Sequence, residues 1–151
     1  MSNYLLIKVN KLSYGIDIMN IDEIIPYEEP TKLPNTPEHM AGVLVHRNTT
    51  IPILHTAILL GINNAFSSQE FKSTTRIVIV KLEDNKFGLV VEEASSILDI
   101  EDEQIESIHS IRGINKSHLI KGIAKIDETN LVPILNINNI MESNTGVTEE
   151  K

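Results

Sequence analysis

Two short apolar runs in this chain, residues 5–9 and 76–82, each enter a polar turn and return with the order aromatic, glycine, apolar, any residue, apolar. The returning segments are Tyr14-Gly15-Ile16-Asp17-Ile18 and Phe87-Gly88-Leu89-Val90-Val91. Short β-type runs joined across a polar turn predict a hairpin in each half. A second pair of hairpins is predicted further along, residues 41–45 with 51–54 and residues 122–126 with 131–135. A short helix is expected to follow each: Thr56-Ala57-Ile58-Leu59-Leu60 ends at Gly61, a suitable helix C-terminus, and Asn136 is a good N-cap for residues 137–141.

The repetition is an internal duplication. With residues 4–25 laid over 77–98, Leu6-Ile7-Lys8-Val9 falls on Ile79-Val80-Lys81-Leu82, Ile21 falls on Ala94, and Ile24-Ile25 falls on Ile97-Leu98. Further on, Gly42-Val43 meets Gly122-Ile123 and Ile51-Pro52-Ile53-Leu54 meets Val132-Pro133-Ile134-Leu135, with one residue gained in the turn between them. Turns tolerate such a gain because their backbone is exposed. The lobe-forming repeats are placed at about 4–62 and 76–141, with a polar connection over 63–75 and a disordered tail over 142–151. Lobes of this size hold little core alone, so they are expected to share a core or interlock. Gly15 and Gly88 mark close backbone approach or a bulge, since no further glycines follow at phosphate-loop spacing.

Composition narrows the class. The chain has 151 residues, no Trp and 4% aromatics, so Ile, Leu and Val must do the packing, a β-friendly palette. With no Cys there is no disulfide framework, thiolate metal site or cysteine nucleophile, which suits a cytoplasmic protein. No leader pattern opens the chain, and no apolar stretch is long enough for a spanning helix, so direct membrane insertion is not expected. A net charge of −8 argues against nucleic acid as a partner, because phosphate binding needs a basic face. The acidic residues over 87–111, where Lys and Arg are absent, read as a solvated face.

Catalytic equipment is not apparent. GxSxG, GxxxxGKS/T and GxGxxG spacings are missing, and the adjacent carboxylates Asp22-Glu23 and Glu92-Glu93 read as surface, since sequence neighbours rarely face each other across a pocket. Five histidines stand in no metal-binding spacing, and no cofactor or metal is expected; His46 and His55, which flank one hairpin, give the only hint of a metal or ligand site. Arg47, at an apparent hairpin tip among apolar neighbours, has two readings: a solubilising turn residue, or an anchor at a protein interface, where Arg is enriched.

The ordered segments Tyr14-Gly15-Ile16-Asp17-Ile18, Glu23-Ile24-Ile25, Leu33-Pro34-Asn35-Thr36-Pro37, Gly42-Val43-Leu44, Arg47, Ile51-Pro52-Ile53 and Phe87-Gly88-Leu89-Val90-Val91 together resemble the CheW family of chemotaxis adaptors. The resemblance implies an all-β fold of two interlocked five-stranded β-barrels with a groove between them, and a non-enzymatic scaffold. The implied partners are the cytoplasmic tip of chemoreceptors and the regulatory domain of the histidine kinase CheA, in membrane-associated receptor arrays. Carried over residue by residue, the receptor contacts are Ile21, Glu23, Gly42, Arg47, Ala94 and Ile97. The family usually reads Asn-Leu-Arg-Gly where this chain has Val45-His46-Arg47-Asn48, and Asp where His55 stands. Asn tolerates the left-handed conformation Gly would adopt, whereas His55 forgoes a helix cap worth about 1 kcal/mol unless Thr56 replaces it. These departures bear on receptor choice. Alternatives are an adaptor of a non-chemotaxis motility pathway and, from another class, a small β-barrel ligand- or metal-binding domain using His46 and His55. A fragment of a larger signalling protein fits less well than a free-standing adaptor, since Met1 leads almost directly into the first strand.

Overall fold

The hairpin signals correspond to paired strands in the computed structural model, which describes residues 2–61, 73–108 and 119–145. In the first half lie β1 (Ser2–Val9), β2 (Leu12–Asp17), β3 (Ile21–Pro26), β4 (Met40–His46), β5 (Thr49–His55) and helix α1 (Thr56–Leu59). The second half repeats them as β6 (Arg76–Leu82), β7 (Asn85–Val91), β8 (Glu93–Ile100), β10 (Ile120–Lys125), β11 (Leu131–Leu135) and helix α2 (Ile137–Thr145), with one added strand, β9 (Ile105–Ser107).

The lobes are not the sequence repeats. One sheet runs β8-β1-β2-β11-β10-β9 and the other β3-β6-β7-β5-β4. Each half therefore donates its first hairpin to the sheet built by the other half. Each donated hairpin joins the other half on both sides, by an antiparallel pairing (β1 with β8, β6 with β3) and by a parallel junction, Ile134 with Gly15 and Ile53 with Gly88. Five strands per lobe hold in one sheet, and the other has six; among the described residues neither strand order closes into a barrel. Both are all-β, as expected.

Exchange puts β1 and β6 between two cores. Leu5, Ile7 and Val9 of β1, with Val78 and Val80 of β6, face a shared core completed by Tyr14, Ile16, Phe87, Leu89, Val91 and α2. The alternate residues face separate cores: Tyr4 packs with Ile100, Ala124, Val132 and Ile134, and Ile77 and Ile79 pack with Ala41, Ile51 and Ile53. Strands covered on both faces need near-continuous apolar sequence, which explains Ile77-Val78-Ile79-Val80. The glycines at the junctions are required by proximity. A Cβ on Gly88 would sit 2.7 Å from Ile53 Cδ1 and 2.8 Å from Ile77 Cγ2, and one on Gly15 would sit 2.8 Å from Ile134 Cδ1.

Three local expectations meet different outcomes. Asn136 caps α2 by accepting from the Asn139 N–H at 3.0 Å, and Gly61, at φ +79°, follows α1. Helix α2 runs to Thr145, past the start of the expected tail, because Ile137, Ile140 and Met141 bury one face in the shared core. Helix α1 is only four residues long: His55 makes no side-chain cap bond, and the buried Thr56 Oγ1 finds no partner, so Thr56 does not replace the missing cap. Residues 63–72 and 146–151, in the expected connection and tail, lie outside the described residues.

Candidate functional site

The β4–β5 hairpin closes through two residues, Arg47 and Asn48, with φ of 52° and 66°. Two left-handed residues make the hairpin turn whose twist matches the flanking strands, and it favours Asn and Gly. Asn48 suits it. Arg47 does not, and a non-glycine residue in this conformation costs about 1–2 kcal/mol.

Opposite the turn lies β3. Its pairing with β6 shifts between Ile21 and Glu23, so Asp22 is an extra, bulged residue. On a regular strand adjacent side chains point to opposite faces; at a bulge that alternation breaks. Asp22 and Glu23 consequently converge with His46, their ligand atoms all within 4.8 Å of one another. Arg47 Nη2 approaches Glu23 Oε1 at 2.8 Å and His46 Nε2 approaches the same oxygen at 3.0 Å. Asp22 pairs instead with Lys86 Nζ at 3.3 Å. The cluster is near enough for a cation, but each carboxylate already faces a basic side chain, which argues against one.

Exposure grades across the cluster, from His46 at 13% through Glu23 at 33% to Arg47 at 70%. Glu23 Oε1 and His46 Nε2 are enclosed atoms, and despite the short distances neither makes a hydrogen bond of good geometry. The contacts are thus charge contacts at off-axis angles, and an exposed pair of that kind contributes about 0–1 kcal/mol. What the arrangement offers is a guanidinium in solvent, lightly held.

The remaining expected contacts lie on β3, β4 and β8. Ile97 on β8 is 57% exposed and its duplicate Ile24 on β3 is also exposed. Ile21 and Ala94 are duplicates beside equivalent register shifts, and both are half-buried against the shared core. Gly42 sits toward the far end of β4 from Arg47, at φ +148°, where a Cβ would collide with the Thr31 carbonyl. It sets the path of β4 beneath the bridge between Thr31 and Val43 and is itself buried. The idea that His46 and His55 share a ligand is corrected by the register. His46 pairs with Thr49 beside the turn, whereas His55 lies past the Met40–Leu54 pair, on the order of 20 Å away at strand rise. Burial, with Lys32 nearby, lowers the pKa of His55.

A second surface escaped the sequence reading. Leu12 is 53% exposed and Leu131 is 56% exposed. Each stands three residues before the paired Gly15 and Ile134, so the two lie at the same end of adjacent parallel strands. Their duplicates in the other lobe, Asn85 and Thr50, are polar. The only signal available was that polar–apolar mismatch between copies.

The exposed Arg47 guanidinium and the exposed Leu12 and Leu131 at a sheet end are features of the class of proteins that dock to other proteins. Comparison with known proteins gives that class its family. The CheW-like domain model matches residues 3–145. The chain is 27% identical to a chemotaxis protein CheW of Thermotoga maritima, covering 91% of this chain and 86% of that one. It is 25% identical to a chemotaxis protein CheW of Bacillus subtilis, covering 91% and 85%. The crystal structure of a CheW scaffolding protein from Thermoanaerobacter tengcongensis superposes with a TM-score of 0.81 at 25% identity, covering 93% of this chain and 92% of that one. The chain belongs to the CheW-like family of chemotaxis scaffolds.

Proposed function

We propose that this scaffold couples the cytoplasmic helical tip of chemoreceptors to the regulatory domain of the histidine kinase CheA, using a separate surface for each. The observation that carries the receptor half is Arg47, kept in a costly left-handed turn and held to Glu23 by weak contacts. What sets Arg47 apart from Lys11 and Glu83, which also stand at positive φ, is its exposed guanidinium laid on Glu23. Ile97, Ile21 and Ala94 supply apolar area along β3 and β8, Glu23 orients Arg47, and Gly42 acts through the path of β4. Helices dock on such surfaces by apolar anchors fixed in register by charge.

The kinase half is assigned to Leu12 and Leu131. Large apolar side chains at the rim of an otherwise polar sheet end suit a partner domain with a complementary sheet end. In this reading the protein works at receptor arrays beneath the membrane without entering it; among the described residues no helix is long and apolar enough to cross one. No catalytic step is involved. The test is a pull-down of the tagged full chain from its native cell extract, read by mass spectrometry. CheA and receptors should co-purify, and recovery of neither would sink the proposal.

A further inference from the structure

Arg47 turns its full guanidinium to a partner by leaving Glu23, and that departure strips a cation from an enclosed oxygen. An acceptor orphaned in this way carries a desolvation cost which opposes release. His46 Nε2 lies 3.0 Å from the same oxygen, on the residue adjoining Arg47, and is itself enclosed and without a hydrogen bond. We propose that His46 is a positioning residue: its Nε2–H takes over Glu23 Oε1 when Arg47 turns toward an acidic group on a bound partner, so that Arg47 is released without orphaning the carboxylate.

Three features support this exchange. The two donors approach one oxygen and neither is in good hydrogen-bond geometry, so a small rotation of the ring or carboxylate converts contact into bond when the competitor leaves. The other nearby cation, Lys86, approaches the other carboxylate, Asp22, which leaves the imidazole as the replacement at hand. Exposure also runs in the required order, the permanent partner inside and the transferable one outside. The duplicate of Glu23 is Ser96, and the turn equivalent to Arg47 carries Asp127, so this exchange belongs to one lobe alone.

The inference rests on Arg47 meeting a receptor, and its test separates the two claims. Ring-nitrogen NMR of the free full chain needs no receptor. Arg47→Ala should move the His46 signals toward the Nε2-protonated form while leaving those of His55 unchanged, and unmoved His46 signals would overturn the exchange. If His46 responds but wild type fails to bind a receptor cytoplasmic fragment, the exchange stands and the receptor assignment falls. With binding present, His46→Leu should weaken it about fivefold to tenfold, at the low end of an orphaned-acceptor effect because Glu23 is one-third exposed. His46→Gln retains a donor and should restore affinity to within about twofold of wild type, a difference below the cost of a lost hydrogen bond. In an Arg47→Ala background His46→Leu should have no further effect. Equal losses in the Leu and Gln variants, or a loss that persists without Arg47, would show that His46 merely fills space.

Discussion

The hairpin β4–β5 and its duplicate β10–β11 begin alike and end differently. In the five-stranded lobe the turn is two residues long, strained at Arg47, with its guanidinium laid on Glu23. In the six-stranded lobe the single extra residue relaxes the turn: Asp127 accepts from the N–H groups of Thr129 and Asn130 at 2.9 and 3.0 Å, and the Ile126 N–H donates to the Asn130 carbonyl at 2.9 Å. The sheet ends differ in the opposite sense, polar Asn85 and Thr50 in the first lobe and apolar Leu12 and Leu131 in the second. Duplication supplied one scaffold twice, and the copies then diverged where backbone is exposed. The strand framework did not diverge: the apolar residues of the shared core, the junction glycines and the bulges at Asp22 and Ser95 occur in both.

The largest effect is expected where the lobes cannot be told apart. Phe87 is buried in the shared core, so Phe87→Ala should destabilise the protein by about 3–5 kcal/mol and lower one calorimetric transition for both sheets. Two separated transitions would break the claim that the lobes unfold together. The junctions sharpen the comparison. Gly88→Ala meets two close side-chain atoms and should cost about 1–3 kcal/mol, whereas Gly15→Ala meets one, the end of Ile134, and should cost less. Chemical denaturation of the pair measures the difference, and a reversed order would show that the junctions are packed otherwise.

Smaller effects separate the two turns. Arg47→Gly should stabilise the fold by about 1 kcal/mol through relief of the left-handed conformation, and a lower melting temperature would contradict the strain argument. In the relaxed turn, hydrogen bonds from Asn130 and Thr129 hold the Asp127 pKa below its usual 3.8. A depressed folded-state value means that the stabilisation is present above the unfolded value and is lost as pH falls through the folded one. Asp127→Ala should therefore melt below wild type near neutrality, and the gap should close on acidification below about pH 4. A gap that persists in acid would show that the side chain acts by something other than its charge.

Much of this arrangement was legible from residues alone. Aromatic-glycine signatures located the hairpins, and their repetition located the pseudo-symmetry, because a strand buried on one or both faces must carry a regular apolar pattern. What remained hidden depends on pairing between distant segments. Interlocking was expected, but that β1–β2 is the hairpin that joins strands from the other half follows from long-range register, which no local pattern encodes. The bulge at Asp22, which turns two adjacent carboxylates toward one hairpin, is likewise a property of β3 against β6, so reading Asp22-Glu23 as plain surface missed its convergence with His46 and Lys86. Leu12 and Leu131 looked like strand residues among many until exposure set them apart.

The central claim is that two separate surfaces hold different partners, and a cross-titration tests it most directly. Arg47→Ala and the double variant Leu12→Asn with Leu131→Thr, which copies the polar end of the other lobe, are each titrated against a receptor cytoplasmic fragment and the regulatory domain of CheA, with thermal melts as control. Arg47→Ala should weaken receptor binding by about 1–2 kcal/mol and leave the kinase nearly unaffected, as removal of an interface arginine anchor does. The leucine variant should do the reverse. Unchanged receptor affinity without Arg47, or loss of both partners from either variant, would contradict the division between the two surfaces.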